Sequence, residues 1–139
     1  MFELDHIGIA VNNIEISQNI FKILNFKFEK VENVQSQGVK VSFSKGESKL
    51  ELLEGNTEFS PKMPILPNPI KSFIHKNGEG LHHICFRTKE IESAFEMIKK
   101  QGVKILSNNI ETGAGGHRMF FIHPKYTKGL LIEIIERND

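Results

Sequence analysis

The first half of the chain is repeated in the second half, and this repeat constrains the possible folds more than any other feature. Residues 4–11, with the sequence LDHIGIAV, resemble residues 81–88, with the sequence LHHICFRT. The two segments lie 77 positions apart, and this offset superposes His6 on His83. An internal repeat indicates that each copy folds as the same structural unit.

A second pair of similar segments closes the two halves. Residues 50–54 (LELLE) and residues 132–136 (IEIIE) share one pattern of glutamate and aliphatic side chains. Their offset of 82 positions superposes Glu51 on Glu133. Each half is therefore predicted to begin with a strand that carries a histidine and to end with a strand that carries a glutamate.

Hydrophobic periodicity predicts the strands of each half. In the first strand, Ile7, Ile9 and Val11 share one face, which we assign to the core. The opposite face carries only a histidine, a glycine and an alanine, which is typical of a wall that lines a cavity. Further strands are predicted over residues 27–34, 39–45 and 49–53 in the first half, and over residues 104–106, 117–123 and 130–136 in the second half.

Each half also contains one predicted helix. The first helix is capped by Asn12 or Asn13. The second carries an apolar stripe at helical spacing and ends at Gly102, where a left-handed cap is favoured. Residues 56–79 contain four of the five prolines and are predicted to form an extended linker, with a short helix over residues 69–76.

These elements predict an α+β fold class. Two βαβββ repeats, over about residues 1–55 and about residues 80–139, are expected to form one curved, open barrel-like sheet with the helices outside. The whole chain of 139 residues is predicted to be a single domain, because 39% hydrophobic residues are enough to build one core.

The composition argues against several classes of function. A net charge of +1 gives no strong field for binding nucleic acid or an acidic membrane. One cysteine, Cys85, cannot form an intramolecular disulfide and fits a reducing compartment. No apolar run approaches the ~20 residues of a membrane helix. Glu3 and Asp5 enter a strand at once, which leaves no room for a signal peptide, so we expect a cytoplasmic location.

Two imidazoles and two carboxylates fall on the predicted cavity faces, one pair in each repeat: His6 with Glu51, and His83 with Glu133. A lone histidine on a strand is more often structural than a ligand. That interpretation does not explain why both residue types recur at matched positions. Nitrogen and oxygen donors without thiolate suit Mn, Fe, Co, Ni or Zn. Four protein ligands around an octahedral ion leave two positions for neighbouring oxygens of a substrate.

Three nearby features are interpreted as structural. By strand alternation, His82 points away from the face of His83. Cys85 shares that face but lies roughly 7 Å further along the strand, so we assign it to packing. Residues 113–116, GAGG, precede a strand rather than a helix, so they do not form a dinucleotide-binding motif. They predict a flexible loop that could close over the cavity.

The segments LDHIGIAV, KLELLE, GEGLHHICFRT, GAGGHRMFFIHPK and GLLIEIIE resemble the vicinal oxygen chelate superfamily, and within it the methylmalonyl-CoA epimerases. The resemblance extends over nearly the whole chain and is weakest in the linker. It implies a divalent metal ion held by His6, Glu51, His83 and Glu133, an acyl-CoA thioester substrate and a homodimer. It also implies epimerisation of methylmalonyl-CoA at C2 through a metal-chelated enolate.

Epimerisation needs two acid/base groups, because a proton leaves one face of the carbon and returns to the other. The resemblance makes Glu133 the first group. Some epimerases place a second glutamate on the third strand, at the position that corresponds to Val41 here. Since valine cannot carry a proton, the second group is Glu51, another residue such as His123, or water, and Glu51 is the candidate that we test.

Two alternative functions remain open. A glyoxalase I-type lactoylglutathione lyase would use the same four ligands on a hemithioacetal, but such enzymes usually carry a D-P-D/N-G turn where this chain has HPK at residues 123–125. A metal-free, ligand-sequestering protein of the same fold belongs to a different functional class. Proteins of that class have usually lost the four ligands.

Overall fold

A computed structural model describes residues 1–47, 49–56 and 68–139. The chain forms two compact units, which we call the first-repeat unit (residues 7–82) and the second-repeat unit (residues 1–6 and 83–139). Strand β1 (Glu3–Ala10) is divided between them, because its residues up to His6 belong to the second-repeat unit. In the described part of the chain, no helix is long and apolar enough to cross a membrane.

The first-repeat unit follows the predicted order of elements. After β1 come α1 (Ile14–Ile23), β2 (Glu32–Val34), β3 (Val39–Phe43), β4 (Leu50–Gly55) and α2 (Pro69–Asn77). Its strands are arranged in the order β2-β3-β4-β1, with β1 parallel to β4 and the other neighbours antiparallel. Parallel pairing of β1 with β4 requires the long connection that α1, β2 and β3 supply.

The apolar face predicted for β1 packs against α1. Val11, Ile14 and Leu52 are buried together, and Ile9 lies at the edge of the same cluster. Asn13 caps α1, because its side-chain oxygen accepts a hydrogen bond of 2.9 Å from the backbone nitrogen of Ile16. The asparagine cap is therefore confirmed, and the predicted core face is confirmed for Ile9 and Val11, whereas Ile7 is only partly buried and does not belong to this cluster.

The second-repeat unit has the same sequence of elements. The chain continues through β5 (Gly80–Thr88), α3 (Ile91–Lys100), β6 (Glu111–Thr112), β7 (Arg118–Ile122) and β8 (Leu131–Glu136). Strands are arranged in the order β5-β8-β7-β6, and β5 is parallel to β8. The stripe of α3 packs against β7 and β8 to form the core, whose buried members are Ile91, Ala94, Phe95, Ile98, Ile105, Phe120 and Ile134.

Some element boundaries differ from the sequence predictions. Only residues 32–34 of the strand predicted over 27–34 form a ladder, and Phe28 makes an isolated bridge to Ser44. The strand predicted over residues 104–106 is likewise reduced to one bridge, from Ile105 to Ile122. Strand β6 was not predicted, since two polar residues give no periodicity. These short pairings depend on the neighbouring strand rather than on local preference.

The linker gave one confirmed prediction. Helix α2 begins at Pro69, and the Asn68 side chain caps it by accepting hydrogen bonds from Ile70 and Lys71. The backbone passes close to this cap, because a Cβ at Gly55 would lie 2.7 Å from the Asn68 Oδ1 atom. Glycine at this position therefore permits the end of β4 to approach α2. The extended, proline-rich stretch predicted before the helix lies at residues 57–67, outside the described residues.

Candidate functional site

Strand register places the two glutamates at equivalent positions. In the first-repeat unit, Glu51 on β4 is the partner of Gly8 on β1. In the second-repeat unit, Glu133 on β8 is the partner of Cys85 on β5. The offsets of 77 and 82 positions superpose these two pairs, so the repeats agree in register as well as in sequence.

Three of the four proposed ligands come together in the second-repeat unit. The Nε2 atoms of His6 and His83 are 3.2 Å apart, and an oxygen of Glu133 lies 3.7 Å from His83 Nε2. One ligand atom from each of the three residues can be chosen so that all lie within 4.8 Å of one another. Both histidines are buried, and the Glu133 side chain is 14% exposed.

This donor set fits a divalent metal ion. Ligand atoms at ~2.1 Å from an ion and at right angles to each other lie roughly 3.0 Å apart, close to the spacing of the two histidine nitrogens. Imidazole nitrogen and carboxylate oxygen are donors that Mn, Fe, Co, Ni and Zn accept. The spacing of His6, His83 and Glu133 is therefore compatible with one face of a coordination sphere.

A fourth residue, Asp5, contacts the ring of His6 and was not predicted from the sequence. Its Oδ2 atom lies 2.6 Å from Nδ1 of His6. A carboxylate at this distance accepts a hydrogen bond from Nδ1–H, which leaves the lone pair on Nε2 directed at the other proposed ligands. The only available sequence signal was an acid beside a histidine. Strand alternation argued against their contact, because neighbouring residues point to opposite faces.

Two arginines compensate the buried charge of Asp5. The Arg137 guanidinium lies 3.6 Å from Asp5 Oδ1, and Arg87 lies 4.0 Å from the same oxygen. Hydrogen bonding to Asp139, with a further contribution from Asp5, raises the pKa of Arg137, so its positive charge is retained. The two guanidinium groups offset part of the cost of burying a charged carboxylate at this position.

Glu51, the fourth predicted ligand, lies on β4 of the first-repeat unit. It is buried between Gly8 and Phe43, its partners on β1 and β3. Its participation in the same metal site stays a prediction. Val41 lies two residues from Phe43 on β3, on the face that Glu51 shares, and is 1% exposed. An apolar side chain therefore occupies the third-strand position, as the sequence indicated.

The remaining two residues singled out by the sequence have packing contacts. The His82 ring meets the Phe73 ring of α2 edge-on, with 4.8 Å between centroids. Cys85 is fully buried with Met119 and Ile135. Its sulfur also lies 3.4 Å from Glu133 Oε1, a contact that strand spacing did not predict. The loop at residues 113–116 contains a 3₁₀ turn, Ala114–Gly116, with positive φ at Gly115 and Gly116.

Comparisons with known proteins agree with this geometry. The family model of the Glyoxalase/Bleomycin resistance protein/Dioxygenase superfamily matches residues 5–121. An uncharacterised protein of Bacillus subtilis is 36% identical over 98% of this chain and 93% of its own length. The mitochondrial methylmalonyl-CoA epimerase of Homo sapiens is 34% identical over 94% of this chain and 72% of its own.

Solved structures extend the similarity to the fold. A methylmalonyl-CoA epimerase in complex with methylmalonyl-CoA and NH4+ has a TM-score of 0.85 and 30% sequence identity to this chain. The match covers 99% of this chain and 96% of that chain. The predicted superfamily and the predicted α+β fold class are thereby confirmed.

Proposed function

This chain belongs to the Glyoxalase/Bleomycin resistance protein/Dioxygenase superfamily, and from that membership we propose that it is an enzyme that epimerises methylmalonyl-CoA at C2. The observation that carries the proposal is the convergence of His6, His83 and Glu133 in a chain similar to methylmalonyl-CoA epimerases over nearly its whole length. The proposed partner is an acyl-CoA thioester, and the proposed assembly is a homodimer.

The proposed ligands of a divalent metal ion are His6, His83, Glu133 and Glu51. Such an ion would act as a Lewis acid and stabilise the negative charge that develops in the transition state by several kcal/mol. The side chains supply the proton chemistry. C2 of methylmalonyl-CoA lies between a thioester and a carboxylate, so its proton is acidic. The Glu133 carboxylate accepts this proton, and the electron pair of the C–H bond moves into the thioester carbonyl to give an enolate.

Return of a proton to the opposite face completes the epimerisation. Glu51 is the proposed donor, because the face of β3 that it shares carries only Val39, Val41 and Phe43, and Glu51 is the acidic residue on the same face of β4. In the reverse direction the two glutamates exchange roles. Glu133 is left protonated and Glu51 ionised after one turnover, so proton exchange with solvent must restore both groups; no electrons are gained or lost.

Solvent deuterium distinguishes this function from the alternatives. Metal-loaded protein in deuterated water is expected to exchange the C2 proton of methylmalonyl-CoA while interconverting its two epimers. A lactoylglutathione lyase would leave this thioester unchanged and would convert the methylglyoxal–glutathione hemithioacetal. Hemithioacetal turnover without C2 exchange would therefore replace the epimerase proposal with the lyase. A sequestering protein would turn over neither compound.

The same measurement assigns the role of Glu51. If Glu51 transfers the proton on the second face of C2, Glu51→Gln slows interconversion of the epimers more than it slows proton exchange on a single face. The reason is that Glu133 still exchanges the proton on the first face. Each epimer is used in turn as the starting material, and deuterium is measured in substrate and product. Equal loss from both directions without residual exchange would limit Glu51 to a ligand.

A further inference from the structure

The thiol of Cys85 contacts a residue of the proposed metal site. Its sulfur lies 3.4 Å from Oε1 of Glu133 and 3.7 Å from the backbone oxygen of Phe86. A thiol has one proton, so it donates to one acceptor at a time. The carboxylate is the nearer and, when ionised, the stronger acceptor, which favours the bond to Glu133.

This bond distinguishes the two oxygens of Glu133. Oε1 accepts from Cys85, whereas Oε2 is the oxygen that lies 3.7 Å from His83 Nε2. The thiol is held firmly in this position, because Cys85 has no exposed surface and packs with Met119 and Ile135. A rigid donor on one oxygen limits rotation of the carboxylate about its terminal bond.

The repeat provides an internal comparison. Cys85 is the strand partner of Glu133, and the equivalent partner of Glu51 is Gly8. Glycine has no side chain, so this position cannot supply the corresponding donor in the first repeat. The two glutamates that the sequence treats as equivalent therefore have different neighbours at the matched strand position.

We propose that Cys85 is a positioning residue that fixes the Glu133 carboxylate through its thiol, so that Oε2 faces the metal beside His83. This proposal rests on the metal site of the proposed function. In this proposal Cys85 acts through Glu133 and does not coordinate the ion, although Asp5, His6 and Cys85 also offer ligand atoms within 4.8 Å of one another. The consequence is a metal site whose affinity depends on a thiol that does not coordinate the ion.

The test uses Co2+ alone as the probe, with affinity measured by competition against a chromophoric chelator. Cys85→Ala removes the donor and is expected to weaken Co2+ binding by about 10-fold, the lower end for residues that orient a ligand. Cys85→Ser keeps a donor and is expected to recover most of that loss. Ile135→Val makes a small cavity in the same cluster without changing a polar group, and its Co2+ affinity is expected to match the wild type.

Several results would overturn the proposal. These are wild-type Co2+ affinity in Cys85→Ala, an equal loss in Ile135→Val, or a sulfur-to-cobalt charge-transfer band in the wild type that Cys85→Ser removes. The last would make Cys85 a ligand. Failure of the wild type to bind Co2+ would remove the metal site as well. Normal Co2+ binding with the expected order of variants, but without C2 exchange, would support the positioning role and reject the epimerase.

Discussion

The Asp5 carboxylate orients the His6 ring so that Nε2 faces the other proposed ligands, because it accepts a hydrogen bond of 2.6 Å from Nδ1–H. We expect Asp5→Asn to weaken metal binding by about 10–100-fold, since an amide no longer fixes the imidazole tautomer. Isothermal titration with Co2+ measures the change. Glu96→Gln is the matched control, because Glu96 is an exposed glutamate on α3. Equal affinity in Asp5→Asn and the wild type would exclude the supporting role.

Removal of a ligand is expected to have a larger effect than removal of its support. His83→Ala should weaken metal affinity by at least ~100-fold, more than the loss of a residue that only orients a ligand. The purified variant should therefore contain less metal and show no turnover, with the fold largely kept. Metal analysis of the purified protein, with circular dichroism for the fold, tests this. His82→Ala controls for loss of an imidazole from the same strand, because His82 packs on Phe73. Full activity in metal-free His83→Ala would contradict the site.

Glu133 has two proposed roles, and one substitution separates them. In Glu133→Gln the amide oxygen still binds a metal, more weakly, but cannot accept the C2 proton. We expect partial metal retention and a fall in kcat of ~10²-fold or more, the usual size of a general-base contribution. Kinetics at saturating metal measure this. Wild-type kcat in the metal-loaded variant would exclude Glu133 as the base.

At the scale of secondary-structure elements, Arg118 on β7 links helix α3 to strand β8 through hydrogen bonds to one glutamate on each. Its guanidinium binds Glu92 in the first turn of α3 and makes two hydrogen bonds, of 2.8 and 2.9 Å, with Glu136. The hydrogen bond from Arg118 lowers the pKa of Glu92. A lowered folded-state pKa means that this pairing stabilises the fold above the unfolded glutamate pKa of about 4.3. The stabilisation is lost as the pH falls through the lower folded-state pKa.

Nuclear magnetic resonance titration of the Glu92 carboxylate tests this pairing. We expect a midpoint below about 4.3 in the wild type and a return towards that value in Arg118→Gln. Lys100→Gln removes the same charge from the exposed end of α3 and is expected to leave the midpoint almost unchanged. Equal shifts in the two variants would attribute the effect to net charge rather than to the hydrogen bond.

For the whole molecule, the repeat made most of the architecture predictable. The repeated segments predicted two βαβββ units and the strands that carry His6 and His83. The alternation of apolar residues along β1 predicted the face of that strand that packs in the core. The contact from Asp5 to His6 was not predictable, because it depends on side-chain rotamers that let neighbours on one strand meet. The short strand β6 was not predictable either, since its two polar residues have no hydrophobic pattern and form a strand by pairing with β7.

Metal removal is expected to lower the thermal stability of the loaded protein. An ion at 100 times its Kd stabilises the folded state by about 2.7 kcal/mol. For a chain of this size that corresponds to a Tm roughly 8–10 °C higher than after chelation. Differential scanning calorimetry with and without chelator measures the shift. His83→Ala should show no such shift, and a wild-type Tm that chelator leaves unchanged would argue against metal binding by the folded state.

Strand β1 has a consequence for the order in which the chain can fold. Its residues up to His6 are synthesised before residues 83–139, yet they belong to the same unit as those residues. Residues 7–82 can gather around the rest of β1 while the second half is still being synthesised. Residues 1–6 can pack only after partners more than 75 residues away have been synthesised. Packing of segments so distant in sequence is intrinsically slow. Until those partners are made, the strand that carries His6 is expected to present an unpaired edge, which favours aggregation of the incomplete chain.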